Sequence, residues 1–474
     1  MAQVLTPDLC VIGGGSAGLS VAAGAVQMGS SVVLIEKHKM GGDCLNYGCV
    51  PSKALLAAGK KAQSFRKQNA LGVKGHLDSV EFDEVMAHVK GVIATIEPHD
   101  SVDRFEGLGV TVIQGSGKFI GPREFEADGR VIKARRFVVA TGSTAFVPPI
   151  PGLDQIDFLT NESVFDLTDL PKKLVIVGGG PIGCELAQAF HHLGSEVAIF
   201  EMFSLMPKDD PEAVDIVRQS LLDEGVEIFE SAKVSGFEKA VSGSKIFFEK
   251  DGEDQSLEGS HVLIATGRKP SVDGLGLEAA GVEFDRRGIK VDKGLKSSNR
   301  KVYAAGDVAG SYQFTHVAGY HAGIIVRSAL FRLPAKVDYK AVPWVTYTSP
   351  EVANVGMTEA EAKEQGIDHQ VLRADFSGND RAVAERDTVG FLKVLVTPKG
   401  KILGASMVGS NAGEIIQVWA LAITNKLKVS AVTSMIAPYP TRGEINKRAA
   451  GAFYTPKLFS DRTRKIVRFL AWFG

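Results

Sequence analysis

A glycine-rich pattern occurs twice in this chain, and it limits the fold more than any other feature of the sequence. The first copy runs from Leu9 to Glu36, and the second runs from Leu174 to Glu201, offset by 165 positions throughout. Each copy reads as an apolar strand, a glycine turn, a helix and a second strand that ends in glutamate. This order predicts an α/β fold with two doubly wound, Rossmann-like parallel sheets.

The Gly-x-Gly-x-x-Gly spacing suits a turn that binds a diphosphate. The first glycine allows the tight turn, the second lets a diphosphate approach the backbone, and the third lets the helix pack on the strand. The helix N-terminus binds the diphosphate, and the glutamate accepts hydrogen bonds from ribose. The residues of the two predicted dinucleotide sites are Gly13, Gly15, Gly18 and Glu36, and Gly178, Gly180, Gly183 and Glu201. The alternative is one functional site and one degenerate copy.

Three further segments extend these sites. Residues 138–142 and 263–267 are apolar strands that end in the same small-residue turn. Each segment is predicted to be the closing strand of one dinucleotide domain. The turns at their ends are expected to lie near a cofactor, and their residues are Thr141, Gly142 and Gly267.

A third strand, in residues 301–307, ends in Gly306 and Asp307, and this aspartate suits the ribityl chain of a flavin. The helix that follows Thr315 would point its positive end at the flavin ring, where negative charge grows on reduction.

Two of the four cysteines, Cys44 and Cys49, lie in one glycine-rich segment. An extended chain would separate their Cα atoms by roughly 17 Å, whereas a disulfide requires about 4.4 to 6.8 Å, so the segment must coil to form one. Pro51 suits the first turn of a helix, which places Cys49 at a helix N-terminus, where a thiolate is favoured. The pair therefore predicts a redox function, and a zinc half-site or two unrelated thiols are the alternatives.

Composition excludes several classes of protein. The net charge of the 474 residues is −1, which gives no electrostatic case for nucleic acid binding. Four cysteines in so long a chain do not form a secreted disulfide framework, so we expect a reducing, cytoplasmic setting. Residues 9–36 are apolar, but Asp8 and the glycines argue against insertion, so we predict no transmembrane helix. We also predict no bound metal.

With these motifs the chain resembles the FAD-dependent pyridine nucleotide–disulfide oxidoreductases over essentially its whole length. Dihydrolipoamide dehydrogenase, glutathione reductase and mercuric reductase belong to this family. The resemblance implies a homodimer that binds FAD and NAD(P). It also implies an FAD-binding domain in residues 1–150 and 271–338, an inserted NAD(P)-binding domain in 151–270, and a C-terminal α+β interface domain in 339–474.

The resemblance implies roles for the cysteine segment as well. Cys49 would be the flavin-proximal sulfur, and Cys44 the sulfur that exchanges with the substrate. Lys53 lies one helical turn after Cys49, so both can face the flavin ring. Glu185 lies near the start of the second dinucleotide helix and would pair with Lys53 across the nicotinamide site, with an ordinary surface ion pair as the alternative.

Glu201 also predicts the choice of nicotinamide. A carboxylate at this strand end accepts a hydrogen bond from a ribose 2′-hydroxyl and repels a 2′-phosphate. Residues 202–206 contain no arginine that could hold such a phosphate. These residues therefore favour NADH over NADPH.

The chain departs from the family pattern in its interface domain. Dihydrolipoamide dehydrogenase and glutathione reductase carry His-Pro-x-x-x-Glu, whose histidine acts as a general base across the dimer interface. Here Tyr439 takes the histidine position, while Glu444 remains. The pKa of tyrosine is about 10, against about 6.5 for histidine, so Tyr439 accepts a thiol proton poorly. The alternative for Tyr439 is simple packing at the interface.

Mercuric reductase also has tyrosine at this position, but it carries a C-terminal cysteine pair that receives Hg(II). This chain has no cysteine after Cys184. The resemblance therefore implies the core chemistry and leaves the acceptor open.

The last segment, residues 457–474, mixes basic and apolar side chains: Arg462, Arg464, Lys465 and Arg468 with Ile466, Val467, Phe469, Leu470, Trp472 and Phe473. A basic amphipathic segment of this kind fits peripheral contact with an anionic membrane. Packing on the partner subunit is the alternative.

The sequence therefore predicts a flavoprotein that passes electrons between NADH and a disulfide or dithiol through Cys44 and Cys49. Two other functions stay open. One is the reduction of Hg(II) or a related metal ion, and the other is that of a membrane-docked redox sensor or electron-transfer partner with low turnover.

Overall fold

The computed structural model describes residues 3–66 and 71–474. These residues form two compact units. The first contains the described residues up to 62 together with 78–202 and 231–337, and the second contains those of 63–77 together with 203–230 and 338–474.

A sheet of five parallel strands forms the centre of the first unit. Its strands lie in the order Val302–Ala304, Arg136–Val139, Leu9–Ile12, Val32–Glu36 and Thr111–Gln114. Successive side chains of a strand point to opposite faces. Leu9 and Val11 therefore pack in one hydrophobic core, with the helices Ser16–Gln27 and Thr315–Ala329, while Cys10 and Ile12 pack in another.

The second glycine-rich copy builds a similar arrangement. Glu196–Phe200, Lys173–Val177 and His261–Ile264 are parallel neighbours, and the helix Pro181–Leu193 connects the first two along the chain. Both copies thus form a strand, a helix and a parallel strand, which confirms the predicted α/β class.

The remaining elements of the first unit are shorter. An antiparallel sheet contains Ala232–Ala240, Gly243–Lys250 and Glu253–Gly259. The other strands are Gln3–Leu5, Gly117–Gly121, Glu124–Ala127, Arg130–Ile132, Ser143–Ala145, Arg268–Pro270, Phe284–Asp285 and Gly288–Ile289. The other helices that begin in this unit are Gly42–Asn46, Cys49–Arg66, Phe82–Ile96 and Val102–Gly107, with 3₁₀ turns at Glu97–His99, Leu153–Gln155, Val164–Asp166 and Gly306–Ala309.

The second unit is built on an antiparallel sheet. Its strands lie in the order Pro343–Thr346, Glu351–Gly356, Ile402–Gly409, Phe391–Val396 and Gln370–Asp375. The buried Trp419 packs in the core beside this sheet and donates a hydrogen bond from Nε1 to Asn446 Oδ1 at 2.7 Å.

The other elements of the second unit are the strand Glu227–Phe229, the helices Pro211–Glu224, Glu359–Glu364, Asp380–Ala384, Ala412–Ile415, Gln417–Thr424, Val429–Ser434, Glu444–Ala452, Thr455–Leu458 and Asp461–Leu470, and the 3₁₀ turns Phe376–Gly378 and Ala471–Phe473. The antiparallel sheet and its helices agree with the α+β class predicted for the C-terminal region. The limits of the three predicted domains stay a prediction.

Candidate functional site

The first glycine turn has the geometry that its spacing predicts. Gly13 has a φ of +111°, a backbone conformation that favours glycine. A Cβ atom on Gly18 would lie 1.8 Å from the carbonyl oxygen of Gly13, so only glycine lets the helix start this close to the strand. Glu36 is buried, and its Oε2 accepts a hydrogen bond from the Gly14 N–H at 2.6 Å.

The second turn repeats these contacts. Gly178 has a φ of +119°, and a Cβ on Gly183 would lie 1.9 Å from the Gly178 carbonyl oxygen. The Gly179 N–H donates to Glu201 Oε2 at 2.7 Å. A Cβ on Gly180 would meet no atom within 4 Å, so the space over this turn is open where a diphosphate would approach the backbone. The residues at both turns therefore fit a dinucleotide.

The cysteine segment lies directly against the first turn. The Gly41 N–H donates to the Gly14 carbonyl oxygen at 2.9 Å, and Gly15 and Gly41 form an isolated parallel bridge. A Cβ on Gly42 would lie 2.7 Å from the Cα of Gly15. The paired glycines thus let the segment approach the turn that is predicted to bind FAD.

The two cysteines of this segment lie on consecutive short elements. Cys44 is half-buried in the helix Gly42–Asn46, and Cys49 is the exposed first residue of the helix Cys49–Arg66. Both are free thiols in this structure, and each shifts the pKa of the other. Cys49 Sγ also lies 3.3 Å from the hydroxyl oxygen of Thr315.

These contacts separate the acidities of the two sulfurs. The hydrogen bond with Cys44 is the largest effect that lowers the pKa of Cys49, to about 6, and the Thr315 hydroxyl and the Lys53 charge act in the same direction. The hydrogen bond with Cys49 and burial raise the pKa of Cys44. At neutral pH the reduced pair therefore consists of a Cys49 thiolate and a Cys44 thiol.

Lys53 and Glu185 form the ion pair that the sequence predicts. Lys53 Nζ lies 2.7 Å from Glu185 Oε2, and the Glu185 side chain is only 6% exposed. Two helices bring them together, because a Cβ on Gly59 of the first would lie 3.0 Å from the Ala189 carbonyl oxygen of the second. The carboxylate is therefore held by the packing of the helices, unlike that of an ordinary surface pair.

The residues predicted near the flavin also lie at strand ends. Asp307 Oδ2 accepts a hydrogen bond from the Ser143 hydroxyl at 2.5 Å, and burial raises the pKa of Asp307. The Gly306 N–H donates to His321 Nδ1 at 3.1 Å. These contacts hold the 3₁₀ turn Gly306–Ala309 beside the central sheet.

The other predicted turn residues bond to neighbouring backbone. The Thr141 hydroxyl donates to the Ser271 carbonyl oxygen at 2.7 Å, and the Gly142 carbonyl accepts from the Ser271 N–H at 2.9 Å. The Gly267 carbonyl accepts from the Phe146 N–H at 2.9 Å. A Cβ on Gly142 or on Gly267 would meet no atom within 4 Å, which leaves open space at both turns.

Sequence reasoning missed an ionic network beside the cysteines. Arg268 lies 2.9 Å from Asp43 Oδ1 and donates to the Ser143 hydroxyl at 2.7 Å. Asn161 Nδ2 also donates to Asp43 Oδ1, at 3.0 Å. Asp43 and Arg268 could have been found from the sequence, because each is next to a predicted site residue, Cys44 and Gly267 respectively. Nothing in the sequence points to Asn161.

Tyr439 lies in the second unit on an exposed loop. Its hydroxyl donates to Asp380 Oδ2 at 3.0 Å, and this hydrogen bond raises the pKa of Tyr439. Glu444 begins the helix Glu444–Ala452, and its negative charge acts in the same direction. Arg442 holds the loop, with contacts to Glu385 Oε2 at 2.8 Å and to an oxygen of Asp387 at 2.7 Å. Tyr439 is therefore a hydrogen-bond donor at neutral pH rather than a base.

The C-terminal segment exposes both of its chemical faces. No residue of Thr455–Leu458, Asp461–Leu470 or Ala471–Phe473 is buried. Helical spacing places Ile466, Val467, Leu470 and Phe473 on one side and Arg464, Lys465 and Arg468 on the other. Within residues 3–66 and 71–474, no helix is both long and apolar enough to cross a bilayer.

Two family descriptions match most of the chain. "Pyridine nucleotide-disulphide oxidoreductase" matches residues 7–322, and the dimerisation domain of the same family matches residues 342–450.

Individual relatives agree with this assignment. The chain is 36% identical to a mercuric reductase of Lysinibacillus sphaericus over 449 residues, which cover 94% of this chain and 82% of that protein. It is 33% identical to a dihydrolipoyl dehydrogenase of Bacillus subtilis over 452 residues, which cover 94% and 95%. Among solved structures, the HOCl-induced flavoprotein disulfide reductase RclA of Escherichia coli superposes with a TM-score of 0.83 at 29% identity, over 96% of this chain and 100% of that one.

The two glycine turns, the adjacent cysteine pair and these matches lead to one assignment. The dimerisation domain indicates a homodimer, and the family binds FAD and a pyridine nucleotide. The chain belongs to the pyridine nucleotide–disulfide oxidoreductases and is a flavin-dependent disulfide oxidoreductase similar to dihydrolipoamide dehydrogenase and mercuric reductase.

Proposed function

We propose that this protein is an NADH-dependent reductase of a disulfide or another thiophilic acceptor, with Cys49 as the flavin-facing sulfur and Cys44 as the exchanging sulfur. Bound FAD would take a hydride equivalent from NADH and supply an electron pair to the Cys44–Cys49 disulfide. The observation that carries the proposal is the position of the pair. Cys44 and Cys49 lie on consecutive helices against the first glycine turn, with Cys49 at a helix N-terminus.

The reduced pair can return its electrons without further groups. Cys44 attacks one sulfur of the acceptor disulfide while its proton passes to the Cys49 thiolate, and the first acceptor thiolate leaves. Cys49 then loses this proton and attacks the Cys44 sulfur of the mixed disulfide. The second acceptor thiolate leaves, and the Cys44–Cys49 bond forms again. The acceptor disulfide is thus reduced to two thiols or thiolates, and the Cys44–Cys49 disulfide is regenerated.

Glu201 supports the preference for NADH. Its carboxylate is fixed by the Gly179 N–H at the end of the second strand, where a ribose 2′-hydroxyl can donate to it and a 2′-phosphate is repelled. The test is the ratio of kcat/KM for NADH to that for NADPH. We expect a ratio above about 10 that falls in Glu201→Ala, because one charged hydrogen bond contributes about 1.5 to 3 kcal/mol. A preference for NADPH in the unaltered protein would contradict this assignment.

Tyr439 supports reduction of an acceptor over rapid oxidation of a dithiol. A tyrosine whose pKa is raised by Asp380 does not accept the proton of a dithiol substrate at neutral pH. Reduction of a disulfide begins at Cys44 and needs no such base. The relatives include mercuric reductases, so Hg(II) is the second candidate acceptor, although the chain has no cysteine after Cys184.

One experiment tests the cysteine roles together. Anaerobic NADH is expected to produce a long-wavelength thiolate-to-flavin absorption band in the holoenzyme, and Cys49→Ser is expected to abolish it. Cys44→Ser is the matched control: it has no disulfide to reduce, so its Cys49 thiolate is expected to give the band with oxidised flavin before NADH is added. A band that persists in Cys49→Ser would mean that Cys44 is the flavin-facing sulfur and Cys49 the exchanging one. A screen of NADH oxidation with lipoamide, glutathione disulfide, quinones and Hg(II) then identifies the acceptor class.

We also propose that the enzyme acts in the cytoplasm and contacts an anionic membrane through residues 457–474. The support for this contact is the exposed apolar face of the helix Asp461–Leu470 and the basic residues opposite it. This segment lies beyond the matched dimerisation domain, which ends at residue 450. Trp472 and Phe473 are 86% and 76% exposed, and aromatic side chains of this kind insert at a bilayer interface.

Vesicle sedimentation tests this contact. We expect the whole chain to sediment with vesicles of phosphatidylcholine and phosphatidylglycerol, and to stay in solution with phosphatidylcholine alone. A variant with Arg464, Lys465 and Arg468 changed to Gln is expected to lose binding because the attraction to anionic lipid is removed. Equal retention of the whole chain and of a chain that ends at Pro456 would refute the membrane contact.

A further inference from the structure

We propose that Asp43 is a positioning residue of the redox pair: its carboxylate, held between Arg268 and Asn161, fixes the turn that carries Cys44 and sets how readily the Cys44–Cys49 disulfide is reduced. This inference rests on the proposed roles of the two cysteines and adds a regulator of their redox equilibrium.

The first support is the set of contacts that converge on one side chain. Arg268 and Asn161 approach Asp43 Oδ1 at 2.9 and 3.0 Å. Asn161 Nδ2 also donates to the Tyr47 carbonyl oxygen at 3.3 Å, so one amide joins both ends of the short helix that contains Cys44. The turn between the two cysteines is therefore tied to residues that are far away in the sequence.

The second support is that Arg268 is itself fixed. Its guanidinium donates to the hydroxyl and to the carbonyl oxygen of Ser143, at 2.7 and 2.8 Å, and the same hydroxyl donates to Asp307. The Arg268 side chain is only 12% exposed. Asp43 thus bonds to a rigid cation and not to a mobile surface arginine, so the position of its negative charge is defined.

The third support is the arrangement of charges around Cys49. The Asp43 carboxylate lies beside the residue that precedes Cys49, since a Cβ on Gly48 would lie 2.8 Å from Asp43 Oδ2. Lys53, on the same helix as Cys49, favours the thiolate, whereas Asp43 opposes it. Glu185 is paired with Lys53, and Arg268 is paired with Asp43. On the helix Thr315–Ala329, Thr315 contacts the Cys49 sulfur, and the next residue, His316, stacks on Phe314. Cys49 therefore lies between one cation and one anion. Glu185 balances the cation, and Arg268 balances both the anion and Asp307, which lies 4.0 Å from it.

The consequence is chemical. Reduction of the disulfide takes two electrons and, near neutral pH, one proton, and it yields the Cys44 thiol and the Cys49 thiolate. A negative charge beside Cys49 destabilises this product because it repels the thiolate. The disulfide is neutral, so the same charge does not destabilise the oxidised pair. Asp43 therefore makes the disulfide less oxidising, and it keeps the Cys49 thiolate more nucleophilic, since nucleophilicity rises with the thiol pKa.

Asp43→Asn is the decisive variant, because an amide oxygen can still accept both hydrogen bonds while the charge is lost. Asp100→Asn is the matched control. Its carboxylate also borders the cysteine segment, since a Cβ on Gly41 would lie 3.1 Å from Asp100 Oδ2, but its removal does not break a contact to Asp43. Asn161→Ala removes a donor to Asp43 without a change of charge.

The holoenzyme of each variant would be equilibrated with mixtures of reduced and oxidised dithiothreitol, quenched with acid, and analysed for the Cys44–Cys49 peptide by mass spectrometry. The pH dependence of iodoacetamide alkylation of Cys49 would be measured in parallel. For Asp43→Asn we expect the alkylation midpoint to fall by about half a pH unit and the ratio of dithiol to disulfide to rise about threefold. Asp100→Asn is expected to change neither quantity.

The hydrogen bond from Asn161 to Asp43 is tested by a separate measurement, the rate of Cys44 alkylation. In Asn161→Ala we expect unchanged midpoints but faster alkylation of Cys44, because its turn is held less firmly. Unchanged midpoints and dithiol ratios in Asp43→Asn would overturn the proposal, as would an equal shift in Asp100→Asn. These thiol measurements use no acceptor, so their failure is distinct from a failure of the proposed reductase function, which the absorption band of Cys49→Ser tests.

Discussion

The hydroxyl oxygen of Thr315 lies 3.3 Å from the sulfur of Cys49, although the two residues are 266 positions apart in the sequence. Thr315 is the first residue of a fifteen-residue helix, and Cys49 begins another helix, so two helix N-termini meet at this sulfur. A thiolate at this point receives a hydroxyl hydrogen bond and two favourable helix dipoles. This arrangement adds to the effect of Cys44 in lowering the pKa of Cys49.

Replacement of Thr315 by Val, which has the same shape, removes only the hydroxyl. A hydrogen bond to a charged group contributes about 1.5 to 3 kcal/mol, and one pKa unit corresponds to about 1.4 kcal/mol, so we expect the pKa of Cys49 to rise by about one unit. The pH midpoint of the charge-transfer band in anaerobically reduced protein measures this shift. Ser at the same position should keep the wild-type midpoint, and a Val variant that also keeps it would show that the hydroxyl is not used.

Lys53 and Glu185 should shift the same midpoint in opposite directions. Lys53→Met removes a cation that favours the Cys49 thiolate, so the midpoint should rise by about half a unit to one unit. Glu185→Gln removes the anion that balances Lys53, so the midpoint should fall slightly. The two variants are compared by absorbance between pH 4 and 9. Shifts of the same sign would mean that helix packing, rather than charge, dominates.

His321 predicts a pH dependence of stability. Burial lowers its pKa to about 4, and its Nδ1 accepts the Gly306 N–H. The unfolded chain binds the proton near pH 6.5, so the contribution of neutral His321 is fully present above that pH and is lost as the pH falls toward 4. Over this interval the free energy of unfolding should drop by at most about 3 kcal/mol.

Denaturant unfolding of the holoenzyme at pH 7 and at pH 4.5 measures this contribution. His321→Asn retains an acceptor for the Gly306 N–H but does not titrate, so the difference between the two pH values should shrink. An unchanged difference in His321→Asn would assign the acid sensitivity to other groups.

Tyr439→His should introduce a general base on the exposed loop that carries residue 439. The histidine pKa of about 6.5 lies close to neutral pH, and a positioned general base accelerates proton transfer by about 10² to 10⁴. We therefore expect dihydrolipoamide oxidation by NAD⁺ to rise at least about tenfold at pH 8, with little change in NADH oxidation by a disulfide. Tyr439→Phe is the control without a hydroxyl. Equal dithiol oxidation by the His and Phe variants would exclude a role for a base at this position.

The sequence by itself determined the features that depend on neighbours in the chain. Glycine at positions 13 and 178 allows positive φ, and glycine at positions 18 and 183 leaves room for a carbonyl oxygen, so the spacing alone predicted both dinucleotide turns. Pro51 predicted the start of the helix at Cys49 in the same way.

Only the tertiary structure decided which distant groups surround the sulfurs. Thr315, Arg268 and Asn161 meet the cysteine segment because the order of strands in the sheets brings their loops together, and no local pattern encodes that order. A hydrogen bond, or a strong interaction between two charges, requires a distance of a few ångströms. Residues that are more than a hundred positions apart in the sequence reach such distances only after the chain has folded. The sequence therefore identified the sulfur pair, whereas the fold determined its acidity.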